Sequence, residues 1–141
     1  MRDTNTSLIA LLKANAREPV ASLARKLGLA RSTVQERIAR LERQGIIKGY
    51  TALLSEESEA RRLRAVVMIA ADSKQADRIG AELKRMPEVR ALSAVSGAYD
   101  MMAIVEAETP ARMDAALDRI GRAAGVARTV SSIILSEKFS R

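Results

Sequence analysis

The chain contains no cysteine, no histidine and no tryptophan. Without thiols it has no disulfides, no thiolate nucleophile and none of the sulfur donors that most structural zinc sites use. Without imidazole it lacks the commonest general base and the usual partner of a nucleophilic serine. Only carboxylate- or lysine-based catalysis is left open. Aromatics are scarce as well: Tyr50, Tyr99 and Phe139 are the full set, so any core must be aliphatic. No apolar run reaches the ~18 residues of a membrane span, and the N-terminus lacks the apolar stretch of a secretory signal. A soluble cytoplasmic protein is the expectation, with no membrane partner. The chain has 141 residues, enough for one ordinary domain or two very small ones. Small domains bury little of their surface, which favours an oligomer.

Phosphate-binding glycine motifs are missing too. The seven glycines form neither a dinucleotide fingerprint nor a P-loop. Asp72, Asp77, Asp114 and Asp118 fall at helix starts or on helix surfaces, where caps and solvated charges are the ordinary reading. No catalytic constellation, metal site or cofactor is therefore expected.

What is present is positive charge, unevenly placed. Residues 1–54 hold ten Lys or Arg against four Asp or Glu, a net of +6, whereas residues 55–141 hold fourteen against thirteen. Charge concentrated on a short segment is the footprint of a polyanionic partner, or else a solubilising surface.

The periodicity of that segment separates these readings. Residues 3–14 carry Leu8, Leu11 and Leu12 at helical spacing behind the acceptors Asp3, Thr4 and Thr6. After Pro19, Val20, Leu23, Ala24 and Leu27 mark a second helix, ended at Gly28. A third helix spans about 30–44, with Val34, Ile38 and Leu41 inward and Gly45 closing it. Two short helices hinged at a glycine, with small Ala24 at the crossing, form a helix-turn-helix. Once the inward positions are fixed, the helical period turns Arg31, Ser32, Thr33, Gln35, Glu36 and Arg37 outward, with Arg40 one turn on. These side chains bond to base edges and phosphates. Ala30 is a poor helix cap, so Ser32, with Gln35 three residues later, is an alternative start. Residues 46–54 read as two short strands around Gly49, a wing carrying Lys48; Lys48 and Arg17 are candidate backbone contacts or merely solvated charges.

Residues 55–61 are polar and acidic without periodicity, and read as a linker. Beyond it the pattern is strand (63–71), helix (74–86), strand (89–95), turn (96–98), strand (99–105), helix (110–123) and strand (126–135). This βαββαβ order specifies a four-stranded antiparallel sheet with both helices on one face, the ferredoxin-like arrangement. The fold class is thus α+β: a winged helix-turn-helix over 1–54, a linker, and a ferredoxin-like domain over 62–141. The runs Val66–Ala71 and Met101–Val105 are apolar on both faces, although only one face receives helices. A second copy is the expected cover.

Residues 20–29 and 32–51 resemble the second helix, turn, recognition helix and wing of the Lrp/AsnC (feast/famine) transcription regulators. Ser96-Gly97-Ala98-Tyr99-Asp100, between the central strands, resembles the same family's amino-acid-responsive domain. The resemblance implies a DNA-binding regulator that dimerises through its C-terminal sheets, builds octamers in many cases, and answers to an amino acid held between dimers. It places Gly97, Ala98, Tyr99 and Asp100 in the effector site, with Thr129 and Ser131 nearby. Asp100 would take the ligand ammonium and free turn amides its carboxylate; the plainer reading is a tight turn with Asp100 bonding its own loop. The competing function is an effector-blind protein that organises DNA by oligomerising. A third is an enzyme or sensor with a basic extension, against which the missing His, Cys and phosphate loops count.

Overall fold

In a computed structural model describing residues 3–59 and 62–140, the chain divides into two compact units, residues 1–53 and 54–141. The first holds three helices: α1 (Thr4–Ala14), α2 (Val20–Leu27) and α3 (Arg31–Arg43). Asp3 caps α1 by accepting from the Asn5 N–H, as its acceptor side chain allows. Leu8, Leu12, Leu23, Ala24, Val34 and Leu41 form one buried cluster, with Ile38 and Ile47 packed against it. Ala24 is 5% exposed, in line with the close helix crossing that its size predicts. Gly28 ends α2 at φ +65°, the left-handed geometry that a β-carbon disfavours.

The wing is where the structure departs from the pattern. The expected strands over 46–54 do not form; residues 48–55 have no regular structure. An isolated two-stranded hairpin is marginal in water, and Lys48-Gly49 lacks the Asn or Asp that favours the tight primed turn. Among the described residues of the first unit no strand offers a partner, and Leu53 and Leu54 are exposed. The acidic stretch expected to lack structure holds one helical turn, α4 (Glu56–Glu59). The Ser58 N–H donates to the Ser55 carbonyl at its start, closing the turn. Ala60 and Arg61, the rest of the expected linker, lie outside the described residues.

The second unit follows the predicted order: β1 (Leu63–Ala71), a 3-10 turn (Ser73–Gln75), α5 (Ala76–Lys84), β2 (Val89–Ala94), β3 (Met101–Ala107), α6 (Pro110–Arg122) and β4 (Val126–Ile134). The strands run β2-β3-β1-β4 across the sheet, every neighbouring pair antiparallel. Asp72 caps the 3-10 turn through the Lys74 N–H, and Thr109 caps α6 through the Arg112 N–H. Both are ordinary capping roles.

Burial alternates along the central strands. Ala65, Val67 and Ile69 of β1 and Met101, Ala103, Val105 and Ala107 of β3 are buried with Ile79 and Leu83 of α5 and Met113, Ala116 and Ile120 of α6. Both helices therefore cover the same face. The opposite face carries Val66, Met68, Met102 and Ile104 half-buried, with Val130 of β4 beside Met68 and 46% exposed. It is apolar, as the sequence shows, and no helix among the described residues covers it.

Truncating the fully buried Leu23 to Ala should cost roughly 2–5 kcal/mol, because the cavity adds to the lost transfer energy. The exposed neighbour Arg25→Ala should stay within about 0.5 kcal/mol. Urea unfolding of both variants measures the contrast.

Candidate functional sites

The first site is the exposed face of α3. Val34 is fully buried and Leu41 is 2% exposed, and this rotates the polar positions away from the core. Arg31, Ser32, Gln35, Glu36 and Arg40 are exposed, while Thr33 and Arg37 are half-buried. Ser32, Thr33, Glu36, Arg37 and Arg40 line one shallow groove. The helix starts at Arg31 with Ala30 as an unassisted cap, whose carbonyl accepts from the Val34 N–H. Ser32 therefore lies inside the helix and is not its cap.

Two of these side chains have partners that spacing alone does not show. Arg37 Nη1 donates to Asn5 Oδ1 at 2.9 Å, tying α3 to the start of α1. A guanidinium has five donors, so this contact orients Arg37 and leaves most of them available. Glu36 pairs with Arg43 at 3.0 Å, both more than half exposed, a contact worth little in energy. Lys48 and Arg17 are exposed beyond the ends of α3 and α1. Lys26 is less available: it pairs with Glu18, which also accepts from the Ser22 hydroxyl at 2.6 Å. The Lys26 contact, then the Ser22 hydroxyl, holds the Glu18 carboxyl below its usual range. Tyr50 donates to Glu42 Oε1 at 2.8 Å, fastening the segment after α3. Burial and then this carboxylate push its phenol up.

The second site is the turn between β2 and β3. The Val95 N–H donates to the Asp100 carbonyl at 3.0 Å, and the Asp100 N–H donates to the Ile69 carbonyl at 2.9 Å. Asp100 Oδ2 accepts from the Ala71 N–H at 2.9 Å. This carboxylate thus grips the end of β1 rather than its own loop, and β3 begins only at Met101. Gly97 has φ +124°, and a β-carbon added there would meet nothing within 4 Å. The glycine is needed for its backbone angle, and the space beside it is open.

Tyr99 has a partner outside the motif. Arg128 Nη1 donates to the Tyr99 hydroxyl at 2.9 Å, and the guanidinium carbon lies 4.8 Å from the ring centroid. Thr129 and Ser131 register with Ile69 and Val67, whose side chains face the helices. Thr129 Oγ1 lies 3.9 Å from where a β-carbon on Gly121 of α6 would be. Strand alternation therefore puts Thr129 and Ser131 on the opposite side of β4 from Arg128. The structure brings Tyr99 and Arg128 together and leaves the two hydroxyl residues apart from them. No sequence signal marks Arg128, because a pair 29 residues apart meets only through strand order.

Among the described residues no cluster of three or more His, Cys, Asp or Glu is placed to hold a metal, and no helix is long and apolar enough to cross a membrane.

Residues 1–42 match the AsnC-type helix-turn-helix domain, and residues 64–141 match the Lrp/AsnC ligand binding domain. The transcriptional regulator LrpA of Mycobacterium tuberculosis is 34% identical over 139 residues, covering 98% of this chain and 92% of that one. The regulator LysM of Saccharolobus solfataricus is 30% identical, covering 97% and 95%. Among solved structures, the feast or famine regulatory protein of M. tuberculosis complexed with L-methionine superposes with a TM-score of 0.83 at 34% identity, covering 99% of this chain and 95% of that one. A helix-turn-helix ahead of a ferredoxin-like domain, matched along both parts, makes this chain a member of the Lrp/AsnC family of DNA-binding transcription regulators.

Proposed function

We propose that residues 1–54 read the operator through α3, that residues 62–141 assemble the protein as a homodimer able to form octamers, and that an amino acid bound at the 97–100 turn tunes it. The observation that carries the DNA reading is the polar outward face of α3 on a segment of net charge +6. Gln35, exposed in the first turns, offers the paired donor and acceptor that suit adenine. Arg31, Arg37, Arg40, Lys48 and the hydroxyls of Ser32 and Thr33 suit phosphate oxygens, and Glu36 suits a cytosine amino group.

Support for assembly comes from the apolar sheet face, which a second copy would bury. Support for an effector comes from the open turn at Gly97 and from the similar regulator solved with L-methionine. Here the ligand ammonium lies against the Asp100 carboxylate, and an amino acid shifts the regulator only by binding one assembly more tightly than another. Thr129 and Ser131 would join such a site only across a neighbouring copy. One observation favours the effector-blind reading instead: Asp100 already has a structural task in holding the Ala71 N–H.

Three measurements test these proposals. Gln35→Ala should cost roughly 1–3 kcal/mol at a single operator position. Arg40→Ala should weaken all sequences alike and lower the salt slope by about one. Fluorescence anisotropy across operator variants and salt concentrations separates the two effects. Light scattering on the full chain should give a dimer or a multiple of it; a stable monomer at micromolar concentration contradicts the assembly. Calorimetry with a panel of amino acids should show one or a few binders. Asp100→Asn keeps an oxygen for Ala71 and should abolish that binding at an unchanged melting temperature. Silence across the panel hands the function to the effector-blind reading.

A further inference from the structure

We propose that Arg128 is the carboxylate receptor of the effector site, so that Asp100 and Arg128 form a matched pair of charges for a zwitterionic amino acid with an uncharged side chain. The proposal rests on the effector reading above and gives it a specificity-determining residue outside the turn.

Arg128 carries an unbalanced charge. It is exposed on β4, and none of the carboxylates among the described residues forms an ion pair with it. Its contacts are with Tyr99: a hydrogen bond to the hydroxyl and a stacked approach to the ring face. Both interactions leave the positive charge in place. A ring face steadies a guanidinium without neutralising it, and a phenol accepts from one of five donors. The side chain is therefore braced against Tyr99, and its remaining N–H groups make no other side-chain hydrogen bond among the described residues. Such preorganisation lowers the ordering cost of binding an anion. A guanidinium fork matches the two oxygens of a carboxylate better than scattered amides do.

Asp100 is hydrogen-bonded to Ile69 and Ala71 of β1, and Arg128 is the β4 partner of Ala70 between them, so the anchored guanidinium and the carboxylate expected to meet the ligand ammonium flank the same end of β1. One negative and one positive group suit a ligand with one ammonium and one carboxylate. A further charge on the ligand side chain would find no counterpart among these residues. This moves the ligand carboxylate from the turn amides to β4 and makes Arg128, rather than Thr129 or Ser131, the contribution of the last strand.

The experiment is calorimetry on the intact protein with common amino acids, followed by the best binder's decarboxylated amine, for wild type, Arg128→Gln and Arg128→Lys. Melting temperature and DNA affinity are measured alongside. Wild type should bind the amino acid and discriminate against the amine. Arg128→Gln should lose between about ten- and a hundredfold for the amino acid, the loss expected when a hydrogen bond to a charged group is removed. It should leave the weak amine affinity alone, and Arg128→Lys should recover part of the loss. An amino acid that binds Arg128→Gln as tightly as wild type overturns the Arg128 assignment and leaves the effector reading standing. An equal loss for amino acid and amine also overturns it, since Arg128 would then act only by bracing Tyr99. If Arg128→Gln melts early, the Lys variant decides: full loss of discrimination with a charge retained overturns the proposal, and partial retention supports it. Binding of no amino acid by wild type overturns both readings together.

Discussion

The arrangement of the C-terminal unit depends on β1 being hydrogen-bonded along both edges. It pairs with β3 on one side and β4 on the other, a position set by the second split crossover, which carries the chain from β3 past β1 to β4. Three consequences follow from that one placement. The buried residues of β1 become the floor on which α5 and α6 pack. The last residues of β1 become the anchor for the β2–β3 turn, through the Ile69 carbonyl and the Ala71 N–H. The start of β4 arrives beside the same end of the sheet, which brings Arg128 to Tyr99. A strand at the sheet edge would support none of these pairings simultaneously.

The N-terminal unit is organised by local rules to a greater degree. Its helices are short, their ends are set by Asp3, Pro19 and the glycines, and their apolar stripes meet in a cluster of six buried residues. Short helices gain little stability from propensity and most of it from burying such a stripe. Burial of Val34 and Leu41 therefore does two jobs, holding α3 and fixing which of its side chains face outward. The contact between Arg37 and Asn5 adds a longer-range brace on the same helix. The function inherits this economy, since the residues that would meet DNA are those the core does not use.

Where pattern and structure parted, a partner was the missing ingredient. The wing residues have strand-like sequence, but a pair of strands with no third neighbour and no favourable turn does not hold together. The acidic linker shows the reverse: four residues without apolar periodicity still close a helical turn. The apolar second face of the sheet, by contrast, was legible because period-2 burial is strict and an apolar residue on the open face has no local explanation.

By itself the sequence determined the element order and strand topology of the C-terminal unit, the helix-turn-helix and the outward face of α3. Each depends on periodicity, capping chemistry or glycine geometry, which act over a few residues. It also determined the family, through motifs spread along both units. Only the tertiary structure decided that Ala30 starts α3, that Asp100 clasps β1, that Thr129 and Ser131 turn toward the helix face, and that Arg128 stacks on Tyr99. The last three need strands far apart in sequence to be set side by side in a definite register. That register is fixed by the packing of the whole sheet against its helices, and no local pattern records which side chains it will bring together.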